Sequence, residues 1–204
     1  MIPRRIGVFG GSFDPPHEGH CYLARCAVEA LSLDRLLIFP AGQPPHKPLL
    51  PGHPTPEARL AMARLAFADI PRCEVSDREI LRPGKSYTVL TLRELARKMP
   101  DAELFLVMGS DMFLSVQSWF CASELFGLCT LAPAMRYGTD SESALRAHSE
   151  LLASRYGARC TLLQIPPREL SSTELRAEHP WADARFPAAV RAYIRENRLY
   201  EACL

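Results

Sequence analysis

Apolar residues along this chain fall into two spacings that take turns. Short runs of β-branched, aromatic and leucine side chains occur at residues 6–9, 36–39, 73–75, 104–107, 129–132 and 161–165, with the length and character of buried strands. Between them, apolar residues recur three and four apart. This predicts helices over 18–31, with Leu23, Ala24, Ala27 and Leu31 on one face, over 56–67, and over 87–98, with Leu92, Leu95 and Ala96 on the core side. Further helices are predicted over 119–126, 141–156, 172–177 and 187–197. Strand–helix alternation of this kind predicts an α/β fold, a doubly wound parallel sheet with helices on both faces. Ligands of such sheets collect beyond the carboxyl ends of the strands. One stretch breaks the rhythm: residues 40–56, rich in Pro, Gly and His, form a loop long enough to suggest a function.

The chemistry is densest where the first strand ends. After Ile6, Val8 and Phe9 come Gly10, Gly11, Ser12, Phe13, Asp14, two prolines, His17, Glu18, Gly19 and His20. Two glycines let a backbone turn tightly and approach a ligand without a Cβ in the way. A helix that follows presents unpaired N–H groups and partial positive charge, where anions settle. Ser12 adds a hydroxyl, and His17 and His20 share a face on the first turn. Gly19 costs roughly 1 kcal/mol of helix propensity relative to Ala, a cost that makes sense if something passes close to the backbone. A dinucleotide fingerprint would need G-x-G-x-x-G, which glycines 7, 10 and 11 do not supply; a zinc protease helix would need H-E-x-x-H, and this segment is one residue short. A turn with merely solvated histidines is the remaining alternative.

Other candidate positions also follow predicted strands or open helices. His46 and Lys47, in the proline-stiffened loop, offer two donors to an anion, or mark only a rigid exposed loop. Ser86 is a candidate N-cap and Thr88 a nearby hydroxyl at the start of the 87–98 helix. Gly109 permits close backbone approach after the central strand, Asp111 can accept from ribose hydroxyls, and Trp119 is either a stacking platform or core. Ser171 and Glu174 have capping-box spacing, so a helix start there makes a second anion site, with Arg176 on its first turns.

Composition narrows the partners. The 204-residue length suits one domain over 1–204, helical in its last part, about 166–204. A net charge of +1 argues against a general nucleic-acid binder. Seven cysteines without a C-x-x-C pair fit reduced thiols rather than a disulfide frame or zinc site. With no signal peptide and no apolar run able to span a bilayer, the expectation is a cytoplasmic protein without a membrane partner. The sequence leaves homo-oligomerisation open.

Taken together, the stretch from Gly10 to His20 resembles the H-x-G-H signature of the nucleotidyltransferase superfamily. The loop ending in His46 and Lys47 resembles P-x-x-P-P-H-K of the bacterial nicotinate mononucleotide adenylyltransferases, as do Ser86, Tyr87 and Thr88, Gly109 and Asp111 followed by Trp119, and Ser171, Ser172 and Thr173 followed by Arg176. The resemblance covers nearly the whole chain and implies a Rossmann-like sheet. It implies ATP and nicotinate mononucleotide as substrates, with deamido-NAD and pyrophosphate as products, and Mg²⁺ carried on the phosphates with few protein ligands. It casts His17, His20 and Arg176 as catalytic, and Gly10, Gly11, Ser12, Phe13, Gly109, Asp111, Ser171, Ser172 and Thr173 as ATP-binding. His46, Lys47, Ser86, Tyr87, Thr88 and Trp119 would bind the pyridine nucleotide. Ser12 stands where Thr is common, and Ala132 to Gly138 replaces a usual Arg-Pro-Gly, which leaves Arg136 without a role; Arg59 falls at a frequent family Arg whose role is open. A sister enzyme acting on phosphopantetheine or CTP, a nucleotide-binding regulator and a dehydrogenase are the competing readings.

Overall fold

Strand β1 (Arg5–Gly11) runs between β2 (Arg35–Pro40) and β4 (Glu103–Gly109), parallel to both. The computed structural model describes residues 4–45, 52–134, 142–164 and 184–200. Among these, six strands form one parallel sheet in the order β3-β2-β1-β4-β5-β6, with β3 (Cys73–Val75) at one edge, then β5 (Thr130–Ala134) and β6 (Arg159–Cys160) beyond β4. This is the doubly wound order, which reverses between β1 and β4 and opens a crevice at their carboxyl ends.

Strict alternation in the strands explains why both faces need cover. Ile6 and Val8 of β1, Leu37 and Phe39 of β2, and Leu104, Leu106 and Met108 of β4 pack on one side. There they meet α4 (Thr88–Lys98), α6 (Ala122–Leu128) and α7 (Glu142–Tyr156) through Leu92, Leu95, Leu125, Phe126, Leu145 and Leu152. Phe9, Leu36, Ile38, Phe105 and Val107 point the other way. Their partners come from α1 (Glu18–Ala30), α2 (Pro56–Phe67) and α8 (Ala188–Glu196), through Ala24, Ala27, Met62, Phe67, Val190 and Ile194. Helix α2 starts where its sequence says it should: Thr55 accepts from the Ala58 N–H at 3.2 Å, and Pro56 opens the first turn.

Several local expectations are corrected. Gly10 and Gly11 do not turn: both are extended residues of β1, and the left-handed residue of the turn is Phe13, at φ 46°. The last predicted strand is shifted: β6 is the pair Arg159–Cys160, and Leu163 adds only an isolated bridge to Ala134. Helix α6 begins at Ala122 rather than at Trp119, after a 3₁₀ turn (Val116–Ser118) and a left-handed Cys121. The short helices α3 (Arg78–Leu81) and α5 (Ser110–Phe113) carry too few apolar repeats to show in the pattern. The predicted helix at 172–177 lies outside the described residues.

Candidate active site

The two histidines cap their own helix. His17 is the N-cap of α1; its Nδ1 accepts from the Gly19 N–H at 3.1 Å, and His20 Nδ1 accepts from the His17 N–H at 3.2 Å. This is capping-box reciprocity built from imidazoles in place of Ser and Glu. The rings stack with centroids 3.8 Å apart, and His20 packs edge-on against buried Phe13. A backbone N–H can only donate, so each Nδ1 carries its lone pair and the proton of each neutral ring sits on Nε2.

This geometry corrects the expectation that backbone amides of α1 hold phosphate. The Glu18 N–H donates to the Arg185 carbonyl at 2.8 Å, Gly19 to the His17 ring, and His20 and Cys21 to the His17 carbonyl at 2.9 and 3.2 Å. Every donor of the first turn is committed. What remains of the helix start for an anion is its dipole, with the His17 and His20 rings beside it. Gly10, at the end of β1, is exposed, and a Cβ built on it meets nothing within 4 Å, so that face of the strand is open. Phe13 contributes only backbone to this crevice, because its ring is 1 % exposed and belongs to the core. Ser12, between them, is half-buried.

The turn is braced from behind by charges. Asp14 is buried; its Oδ1 accepts from the Tyr200 hydroxyl at 2.8 Å, and its Oδ2 lies 2.5 Å from His53 Nδ1. Arg59, fully buried in α2, donates to the carbonyls of Ser12 at 2.7 Å and Gly42 at 3.1 Å. Burial pulls its pKa down, while Asp14 and then Tyr200 and Glu57 push it back. Asp14, His53 and Tyr200 carried no sequence signal of their own, since a lone Asp, His or Tyr reads as surface.

Across the crevice, Gly109 ends β4 and Asp111 lies in the first turn of α5, exposed, its Oδ1 accepting from the Met112 N–H at 2.9 Å. The segment of Ser86, Tyr87 and Thr88 does meet that of Trp119: the rings of Tyr87 and Phe120 lie 4.4 Å apart at 31°. Phe120 was not singled out from sequence because one exposed aromatic has no pattern. Trp119 is half-buried against the core, and Thr88 is the first residue of α4. Ser86 does not cap this helix; Tyr87 occupies the N-cap position. The Ser86 hydroxyl instead accepts the N–H groups of Gly42 and Gln43 at 2.9 and 3.3 Å.

Glu79 sits beneath this junction. Burial pushes its carboxyl up to about 7, against the opposing pull of hydrogen bonds from Thr91 and Ser86 and the charge of Arg82. The Thr91 hydroxyl donates to it at 2.5 Å. His46, Lys47, Arg136, Ser171, Ser172, Thr173 and Arg176 lie outside the described residues. No group of three or more His, Cys, Asp or Glu side chains able to hold a metal occurs among the described residues, nor does a helix long and apolar enough to cross a membrane.

Comparison with known proteins agrees with this geometry. The model of the cytidylyltransferase-like family matches residues 8–178. A Synechococcus sp. (strain JA-3-3Ab) protein named "Probable nicotinate-nucleotide adenylyltransferase" is 42 % identical over 202 residues, covering 97 % of this chain and 95 % of the relative. A Chromobacterium violaceum protein of the same name is 40 % identical over 210 residues, covering 96 % and 98 %. The fold matches that of Plasmodium falciparum nicotinic acid mononucleotide adenylyltransferase complexed with NaAD, with a TM-score of 0.79 at 17 % identity over 97 % of this chain and 98 % of that one. With the sheet order, the histidine-capped turn and full-length similarity in agreement, the chain belongs to the nicotinate-nucleotide adenylyltransferases of the cytidylyltransferase-like family.

Proposed function

We propose that this protein transfers AMP from ATP to nicotinate mononucleotide, giving deamido-NAD and pyrophosphate, and that residues 1–204 form one nucleotidyltransferase domain working in the cytoplasm. The observation that carries the site assignment is the pair of Nδ1-accepting histidines at the crevice between β1 and β4. Their orientation is fixed by the backbone they cap, which supports Nε2 as the atom that would face phosphate.

The attacking group, a phosphate monoester, is already an anion, so no strong base is needed. Catalysis is then positioning plus stabilisation of charge on the reacting phosphorus and on leaving pyrophosphate. His17 and His20 donate from Nε2 to phosphate oxygens, with Arg176, Ser171, Ser172 and Thr173 as a second set of donors to the anion. Gly10 leaves room for the nucleotide, Ser12 and the Phe13 backbone line the turn, and Gly109 and Asp111 meet the adenosine side. Trp119 stacks beside the pyridine ring; the Tyr87 and Thr88 segment and the donors His46 and Lys47 receive the anionic mononucleotide. An acid-bearing ring suits such donors better than an amide.

The donor set fits Mg²⁺ carried by phosphate rather than caged by protein. Rings protonated on Nε2 and engaged at Nδ1 are donors, not metal ligands. Mg²⁺ would ride on triphosphate oxygens with its waters and neutralise charge on the leaving group. The reading is tested by identifying products by mass: deamido-NAD from ATP and nicotinate mononucleotide supports it. Product only with CTP or phosphopantetheine contradicts it.

A further inference from the structure

Two loops of the crevice are tied together by one buried side chain. The turn after β1 and the loop after β2 leave the sheet side by side: Gly11 is in register with Pro40, and the Ala41 N–H donates to the Gly11 carbonyl at 2.9 Å. Arg59 reaches between them, one Nη on the Ser12 carbonyl at 2.7 Å and the other on Gly42 at 3.1 Å. The path continues, because the Gly42 N–H donates to the Ser86 hydroxyl and the Ser86 N–H to the Gln43 carbonyl, each at 2.9 Å. Gly42 has no slack within it. A Cβ there would lie 2.5 Å from the Glu79 carbonyl oxygen and 3.2 Å from the Ile80 Cα, both backbone atoms.

A guanidinium that is 0 % exposed is an expensive way to fill space. An apolar side chain of similar volume would pack α2 at lower cost. What the guanidinium adds is geometry: two rigidly spaced donors on two carbonyls from different loops. We infer that Arg59 is a positioning residue, coupling occupancy of the turn at Ser12 to the loop at Gly42 and Gln43, and through Ser86 to the pyridine-side segment. A nucleotide that fixes Ser12 thereby fixes the loop that must meet the second substrate. This inference rests on the assignment of ATP to the β1 turn.

Amide hydrogen exchange reads the coupling without turnover. The ligand is an ATP analogue with a methylene bridge between the α and β phosphates. In the unaltered protein it is expected to slow exchange at residues 10–14 and, by about fivefold or more, at the Gly42 and Gln43 amides. In Arg59→Lys, whose single ammonium cannot span both carbonyls, protection at 10–14 should persist and the response at 42–43 should disappear. Ser86→Ala breaks the path one step later without disturbing Arg59, so the slowing at residues 86–88 expected in the unaltered protein should disappear while protection at 10–14 persists. A merely structural Arg59 would raise basal exchange and leave the response intact. Protection at 10–14 without a response at 42–43 in the unaltered protein overturns the inference, as does a response at 42–43 preserved in Arg59→Lys or one at 86–88 preserved in Ser86→Ala. An analogue that protects neither segment overturns the ATP assignment itself, and the inference with it.

Discussion

Tyr200 and Asp14 share a buried hydrogen bond of 2.8 Å across 186 positions of the chain. Tyr200, four residues past the end of α8, therefore holds the turn that follows β1 from within the core. Tyr200→Phe leaves a buried carboxylate oxygen short of a donor, which costs about 1–3 kcal/mol. The urea midpoint should fall by the corresponding amount with an unchanged m-value. An unaltered midpoint would show that the bond contributes nothing net.

Stability and turnover are expected to separate at His17. Asn is a good N-cap and can accept from the Gly19 N–H, but it does not reproduce the imidazole Nε2–H. His17→Asn is therefore expected to unfold within about 1 kcal/mol of the unaltered protein, while turnover drops by about a hundredfold to a thousandfold. His17→Ala should lose both. For His20→Ala, turnover should fall far more than substrate binding, as steady-state kinetics will show. Side-chain ¹⁵N spectra at neutral pH should find Nδ1 unprotonated and Nε2 protonated in both rings.

Glu79 makes stability depend on pH in an unusual direction for a carboxyl. Its folded value of about 7 lies above the ordinary 4.5, so between those limits the folded protein keeps a proton that the unfolded chain releases. Its contribution is unchanged below the lower limit, declines as pH rises from 4.5 through 7, and levels off above, an effect of at most about 3 kcal/mol. Glu79→Gln should flatten that slope in thermal melts and be more stable than the unaltered protein at pH 8. A slope that survives the substitution places the titration elsewhere.

The cysteines should differ sharply in reactivity. Burial pushes Cys21 and Cys129 up to about 12 and Cys73 to about 11, which keeps their thiols protonated. Cys121 is exposed, next to Phe120. Iodoacetamide at neutral pH should label Cys121 well before Cys21 or Cys129, as peptide mapping will show.

The sheet was legible because its strands are buried on both faces: Ile6, Val8 and Leu104 to Val107 can only be interior, and helical spacing fills the intervals between them. The capping histidines were legible as a pair, but not as partners of each other's backbone, because side-chain identity does not reveal which nitrogen faces inward. Gly10 and Gly11 suggested a turn that Phe13 makes instead, its ring anchored among Phe9, His20 and Phe67. Ser86 looked like a cap by position, but its hydroxyl serves a loop 43 and 44 residues away. Arg59 and Tyr200 act through contacts that no local pattern encodes.

The central claim is best tested by following pyrophosphate release from ATP with each of two acceptors, nicotinate and nicotinamide mononucleotide, using the unaltered protein beside His17→Asn. Release should be faster with the nicotinate acceptor and fall with the substitution while the fold persists. Absence of release with both acceptors, or release indifferent to His17, would contradict the account.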